Sequence, residues 1–333
     1  MAKGYNPTEY MYSSARIRAL EARIATRERI RQMADAQSSD AVISQLSDFG
    51  FEISQGTEAV PRDRMLESVL VGGYAEVASM ECADAVAFMR YQYDANNIKA
   101  IVKCAARGVS AETMLSTLGT VSIDDAQRAF KEKDYSAFSR NISVAITEAE
   151  EAFAATLNPQ QIDFIVDRAC FSDMLEAAEN SGVELASRLV KAKIDIVNIM
   201  ITLRIIRMNL GKMAMSVLDG AYILGGTFEK NMLCEAIEKG EEELAALISR
   251  GEYAAVASAI FEGKTLGEIE KLADDLWLSI AKGAKYVSFG AEIAIGYIVA
   301  LEYEVKNIRI ILAGKDAGLS AEVIRERLRD CYA

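Results

Sequence analysis

The sequence predicts an all-α protein made of three similar multi-helix domains. Three observations predict it: a helix-forming composition with few breaks, apolar residues recurring at the helical period, and one segment that appears three times about a hundred residues apart.

Composition comes first. Of 333 residues, 51% are hydrophobic and only three are proline (Pro7, Pro61 and Pro159), so long helices meet few obligatory interruptions. Ala, Leu, Ile, Glu, Arg and Lys dominate, all of them good or adequate helix formers. No sustained period-two run bounded by turn residues signals a strand. Local start signals agree. Asn158-Pro159 reads as an N-cap with Pro at the first helical position, and Thr265-Leu-Gly-Glu268 as a capping box.

The repeat carries the domain organisation. YDANNIKAIVKCAARGVSAE from Tyr93, IDIVNIMITLRIIRMNLG from Ile194 and YEVKNIRIILAGKDAGLSAE from Tyr303 align on Asn97, Asn198 and Asn307. Three residues before each Asn stand Asp94, Asp195 and Glu304, and eleven after it stand Gly108, Asn209 and Gly318. Gly and Asn best tolerate the left-handed backbone that closes a helix, so each copy reads as a helix with a stop at one fixed distance. Ser110 and Ser320 are expected to cap a following helix, with Glu112 and Glu322 in its first turn; the middle copy lacks this restart. The spacing far exceeds a tetratricopeptide or HEAT unit, so each copy is a small helical domain: residues 1–115, 116–217 and 218–333.

On a helical wheel each copy has a narrow polar stripe: Gln92, Asn96, Lys99 and Lys103; Lys193, Val197, Met200 and Arg204; Glu302, Lys306, Arg309 and Ala313. The acid and the Asn both fall in the remaining apolar arc and are expected to be buried or half-buried. Their expected role is structural. A carboxylate and a carboxamide one turn apart can satisfy each other and tie down loop backbone. Arg90 and Lys191, four residues before Asp94 and Asp195, are placed to neutralise them; Ala300 occupies that place in the third copy, so Glu304 needs another partner.

Charge and motif content exclude several function classes. The net charge of −12 disfavours nucleic acid as a partner. The stretch from Arg16 to Arg31, read as one helix, carries six arginines against Glu21 and Glu28; a solvated face or an acidic protein partner accounts for it better. Five separated cysteines without a CxxC fit free thiols in a reducing compartment. The N-terminal MAKGYNPTEY is polar and reads as no signal peptide. The apolar run from Tyr286 to Leu301 is broken by Glu292 and two glycines, which favours a buried core helix over a membrane span. Histidine is absent, removing the usual proton shuttle and the commonest metal ligand. No Walker-type phosphate loop or GxSxG occurs; Gly72-Gly73 and Gly225-Gly226 are the nearest glycine clusters. The acid clusters at Glu148, Glu150, Glu151 and at Glu241, Glu242, Glu243 read as solvated faces. No catalytic residue, cofactor or metal is expected. A generic all-helical interaction scaffold and a carboxylate-dependent enzyme are the competing readings.

FGAEIAIGYIVALEYEVKNIRIILAGKDAGLSAEVIRERL, from Phe289 to Leu328, resembles the C-terminal signature of the central-stalk C subunit of prokaryotic V-type or A-type ATPases, called d in eukaryotic V-ATPases. YMYSSARIRALEARI from Tyr10 is similar to that family's opening, and YDANNIKAIVK from Tyr93 to its first repeat. One departure is Ala291, where the family has proline. The resemblance implies a funnel of three helical domains about a pseudo-threefold axis. It implies a non-catalytic, peripheral part at the cytoplasmic face of the membrane, which links shaft subunits of the D and F type to the membrane rotor ring without entering the membrane. Torque then passes between ATP hydrolysis or synthesis and proton or sodium transport. The arginine-rich N-terminal stretch and the acids from Glu238 to Glu243 are the expected places for electrostatic docking.

Overall fold

The computed structural model describes residues 6–46, 51 and 62–333. Pro61 and the first five residues of the polar N-terminal stretch lie outside the described residues. Among those described, every regular element is a helix.

The chain forms two compact units, one from the residues up to Val86 together with Glu270–Ala333, the other from Ala87–Ile269. In chain order the first unit opens with α1 (Met11–Glu21), α2 (Arg27–Asp35), α3 (Ser39–Leu46), α4 (Arg62–Ala78) and α5 (Ala83–Val86). The second unit follows with α6 (Tyr91–Arg107), α7 (Ile123–Glu132), α8 (Arg140–Thr156), α9 (Pro159–Asn180), α10 (Glu184–Met208), α11 (Ala214–Ala221), α12 (Lys230–Lys239), α13 (Glu241–Ile248) and α14 (Ala254–Phe261). Then come α15 (Leu266–Ala281), which belongs to the first unit from Glu270 onward, α16 (Glu292–Asp316) and α17 (Ala321–Arg327). The cut by repeat, at 115 and 217, is a different one: α6 and α10, from the first two copies, share a compact unit, and α16 is in the other.

In the first unit α16 is the hub, packed against α1, α2, α3, α4 and α5. Its residues Ile293–Leu301 are all buried, as an apolar run that serves as core requires. No helix of the described residues is long and apolar enough to cross a membrane. The run does not form one helix, however. Lys282–Tyr286 is a short 3₁₀ turn, Tyr286 is 90% exposed, and α16 starts only at Glu292. Gly73 has a packing reason: a Cβ there would lie 2.3 Å from Leu301 Cδ1, so the missing side chain lets α4 approach α16. Trp277 and Tyr303 stack with ring centroids 6.1 Å apart.

In the second unit α9 packs against α6, α8, α10 and α11, while α10 also meets α12 and α13. Two residues of the polar stripe of α6 engage α9, whereas Asn96 stays exposed. Lys99 pairs with Asp167 (2.7 Å) and Lys103 with Asp163 (2.5 Å). Met200, assigned by the wheel to the outward stripe of α10, is buried.

The start signals sort by strength. Asn158 caps α9 by accepting from Gln160 N–H (3.0 Å). Thr265 and Glu268 form the reciprocal box, with Thr265 N–H on Glu268 Oε2 (2.9 Å) and Glu268 N–H on Thr265 Oγ1 (3.3 Å). Ser320 caps α17. Ser110 does not start an α-helix: its hydroxyl accepts from Glu112 N–H, but only a three-residue 3₁₀ turn, Glu112–Met114, follows. The arginine-rich stretch is also not one helix, because the chain breaks between α1 and α2, where Ile24 and Ala25 turn inward.

Candidate functional site

Each long helix of the repeat carries a buried Asn that closes the segment returning after it. On α6, Asn97 Nδ2 donates to the Ser116 carbonyl and Asn97 Oδ1 accepts the Ser116 N–H, both at 2.8 Å. On α10, Asn198 does the same to Ile223, at 2.8 and 3.0 Å. On α16, Asn307 does it to Arg329, at 3.2 and 2.8 Å. The carboxamide has the donor–acceptor layout of a peptide, so it pairs with both backbone groups of one residue. All three side chains are buried, where an unpaired backbone group is costly.

The acid one turn earlier secures a second stretch in the first two copies. Asp94 accepts from Thr120 N–H (2.9 Å), Thr120 Oγ1 (2.5 Å) and Val121 N–H (3.2 Å). Asp195 accepts from Thr227 N–H (2.6 Å), Phe228 N–H (3.4 Å) and Tyr253 Oη (2.8 Å). Burial pushes the Asp94 carboxyl up, against the Thr120 and Val121 hydrogen bonds and the nearby Arg90 charge. Burial and the facing Asp195 carboxylate push the Tyr253 phenol well up, so it stays a donor. In the third copy, Glu304 Oε1 accepts from Ala25 N–H (2.7 Å), in the break between α1 and α2. Burial outweighs that single bond and holds the Glu304 carboxyl up at about 7.

Acid and Asn thus each tie down loop backbone. Of the expected i−4 cations, Arg90 does act on Asp94 through its charge, while its hydrogen bonds go elsewhere, and Lys191 does not engage Asp195. Arg90 turns to the same loop and donates to the carbonyls of Leu118 (3.0 Å) and Gly119. Lys191 is exposed, and Asp195 takes neutral donors instead. The stops have the backbone the sequence demands. Gly108, Asn209 and Gly318 all have positive φ, at 67°, 48° and 69°.

Sequence reasoning missed the loop residues on which the acids act. Gly119-Thr120 and Gly226-Thr227 are the same dipeptide, each facing the acid of its own copy. A Cβ at Gly119 would lie 2.2 Å from Asp94 Oδ1, and one at Gly226 2.3 Å from Asp195 Oδ1. Only glycine lets the carboxylate reach the next N–H. The recurring Gly-Thr was the available signal. Tyr253 and Ala25 had none.

The arrangement has the chemistry of a fastening. Glu150 of the first acid cluster is engaged by Lys133 (2.5 Å) and Tyr135 (3.1 Å), and Glu241 of the second by Arg207 through two bonds (3.0 and 2.9 Å). Among the described residues no group of three or more His, Cys, Asp or Glu is placed to hold a metal ion. The five cysteines are free, and burial pushes up the thiols of Cys82, Cys170 and Cys331, the last to about 11. Such thiols are poor nucleophiles at neutral pH. The docking arginines are partly committed as well: Arg16 pairs with Glu76 (2.6 Å), Arg18 with Glu21 (2.7 Å), and Arg27 with Asp330.

The family model described as "ATP synthase (C/AC39) subunit" matches residues 13–327. The chain belongs to that family. The C subunit of the V-type sodium ATPase of Enterococcus hirae is 24% identical over 73% of this chain and 74% of its own. The C subunit of the A-type ATP synthase of Thermococcus kodakarensis is 23% identical over 96% and 90% of the two chains, and that of Halobacterium salinarum 26% identical over 97% and 98%. The stretch matched to the ATP synthase (C/AC39) family takes in all three acid–Asn pairs, all three stops and the two Gly-Thr turns.

Proposed function

We propose that the chain is a non-catalytic central-stalk subunit of a rotary V/A-type ATPase. It sits peripherally on the cytoplasmic face of the membrane and joins shaft subunits of the D and F type to the membrane rotor ring. Its three repeat units, residues 1–115, 116–217 and 218–333, stand around a pseudo-threefold axis as a funnel. Torque passes through it between ATP hydrolysis or synthesis and proton or sodium transport.

The observation that carries this reading, beyond family membership, is the repeated closure. A part that transmits torque must not yield internally. Each repeat helix is fastened to its returning segment by a buried carboxamide bonded to both backbone groups of one residue. Opening one fastening breaks two hydrogen bonds and leaves four buried polar groups without partners, which makes soft intermediate states costly. Close-packed helices around the fastenings add low compressibility.

The test is reconstitution of the ATPase with and without this subunit, with hydrolysis and ion flux measured together. The expected outcome is hydrolysis that persists while transport falls to background. Full coupled transport in its absence would overturn the proposal.

A further inference from the structure

The first unit contains a cavity of about 260 Å³ between α2, α15, α17 and the segment after α17, and five cations line it: Arg27, Arg31, Lys271, Arg325 and Arg329. Two carboxylates, Asp275 and Asp330, share the wall, so the lining is net positive in a chain whose net charge is −12. We propose that this cavity binds a multiply charged phosphate group.

The carboxylates do not use up the cations. Asp330 is engaged by Arg27 at Oδ1 and by Lys282 at Oδ2 (2.7 Å), and Asp275 Oδ1 accepts the Asp330 N–H (2.6 Å). Arg325 gives Nη1 to Asp35 (2.5 Å), and Arg329 gives Nε to Asp274 (2.7 Å) and Nη1 to the Arg327 carbonyl (2.8 Å). Lys271 Nζ donates to the Glu326 carbonyl (2.6 Å). A guanidinium has five N–H donors, so Arg27, Arg325 and Arg329 each keep donors beyond these bonds. Arg31 is exposed and has no hydrogen bond or ion pair among the described residues.

These features favour phosphate over other anions. Four of the five cations are arginines, whose planar forks bind phosphate oxygens in pairs, and several forks around one space suit a group with many acceptor oxygens. Asp35 and Asp274 hold two of the arginines from outside the lining, which fixes their positions before any ligand arrives. The volume lies just below the roughly 300–1,000 Å³ of pockets for drug-sized ligands, which suits a headgroup or a diphosphate. Free polyphosphate and the phosphate of an anionic lipid offer the same chemistry.

Two probes separate these sources: calorimetric titration of the full chain with sodium pyrophosphate, and flotation with phosphatidylcholine vesicles made with and without phosphatidic acid. Binding to pyrophosphate identifies a soluble phosphate, and binding only to phosphatidic acid vesicles identifies a lipid; either supports the site. Arg31→Glu combined with Arg325→Glu should weaken the binding at least about tenfold, because two charge-assisted partners become repulsive. Arg31→Glu alone removes no bond within the described protein, so it keeps the test valid if the double variant folds poorly; it should weaken binding severalfold. Arg23→Glu, exposed and outside the cavity, should leave binding unchanged. Binding to neither probe overturns the proposal, and so does undiminished binding by the Arg31→Glu variants.

Discussion

Asp195 on α10 and Glu304 on α16 occupy the same register, one turn before a buried Asn, yet they fasten very different spans of chain. Asp195 accepts from residues 32, 33 and 58 positions further on, all in its own compact unit. Glu304 reaches back 279 positions to Ala25, with one donor in place of three. The first is a local closure with three donors on one carboxyl group. The second links the two sequence-distant halves of a unit and leaves a buried carboxyl pushed up to about 7. One helical register therefore supports either a local closure with three donors or a long-range one with a single donor, and in the latter burial outweighs the one bond.

The comparison breaks most visibly at the Asn that both closures share. Asn198→Leu leaves the Ile223 N–H and carbonyl buried without partners, and should cost about 2–5 kcal/mol. Denaturant midpoints measure it, and coincident midpoints for parent and variant would show that the closure contributes nothing.

A second test sharpens the contrast between the acids. Glu304 in the folded chain keeps its proton up to about pH 7, whereas its ordinary value is 4.5. Between those values the folded state binds more protons than the unfolded one, so this group's contribution to stability falls as pH rises through that window. The fall should total about 3 kcal/mol. Glu304→Gln keeps an acceptor for Ala25 N–H and should flatten that slope, becoming more stable than the parent above pH 7. An unchanged slope in paired urea titrations would mean that Glu304 ionises freely.

The smallest expected effect concerns the Gly-Thr turn, which only the first two copies have. Gly226→Ala forces Asp195 off Thr227 and should cost about 1–3 kcal/mol. Thermal melts are sufficient to read it. If Gly226→Ala and Gly267→Ala, the latter with open space around its Cβ, melt alike, the close approach is not limiting.

What was legible in the sequence was what is local along a helix. The stops at Gly108, Asn209 and Gly318, the caps at Asn158 and Ser320 and the inward aim of Asn97, Asn198 and Asn307 follow from periodicity and backbone preference within a few residues. What these side chains hold was not legible. Ser116, Ile223 and Arg329 lie 19, 25 and 22 positions after their Asn and share no residue type, because backbone is what is bound. The misplacement of Lys191, and the loop carbonyls that Arg90 binds besides its charge acting on Asp94, have the same origin. An i−4 rule presumes that a cation's best partner is on its own helix, and in a bundle a loop carbonyl is as near. The gathering of Arg27, Lys271 and Arg325 around one cavity joins distant parts of the sequence and has no sequence signature.

The divided layout of the first unit also bears on how the protein is made. Its N-terminal helices leave the ribosome long before α16, the helix that covers their apolar faces. At about 5–20 residues per second, translation of Ala87–Ile269 occupies roughly 10–40 s. During that time Ile17, Ile30, Met33, Val42 and Leu66, all fully buried in the finished structure, have no α16 to cover them. The second unit, continuous in sequence, can fold meanwhile. Nascent chains are therefore most exposed to misassociation and to chaperone capture through residues before Val86, and that exposure ends only once α16 has emerged.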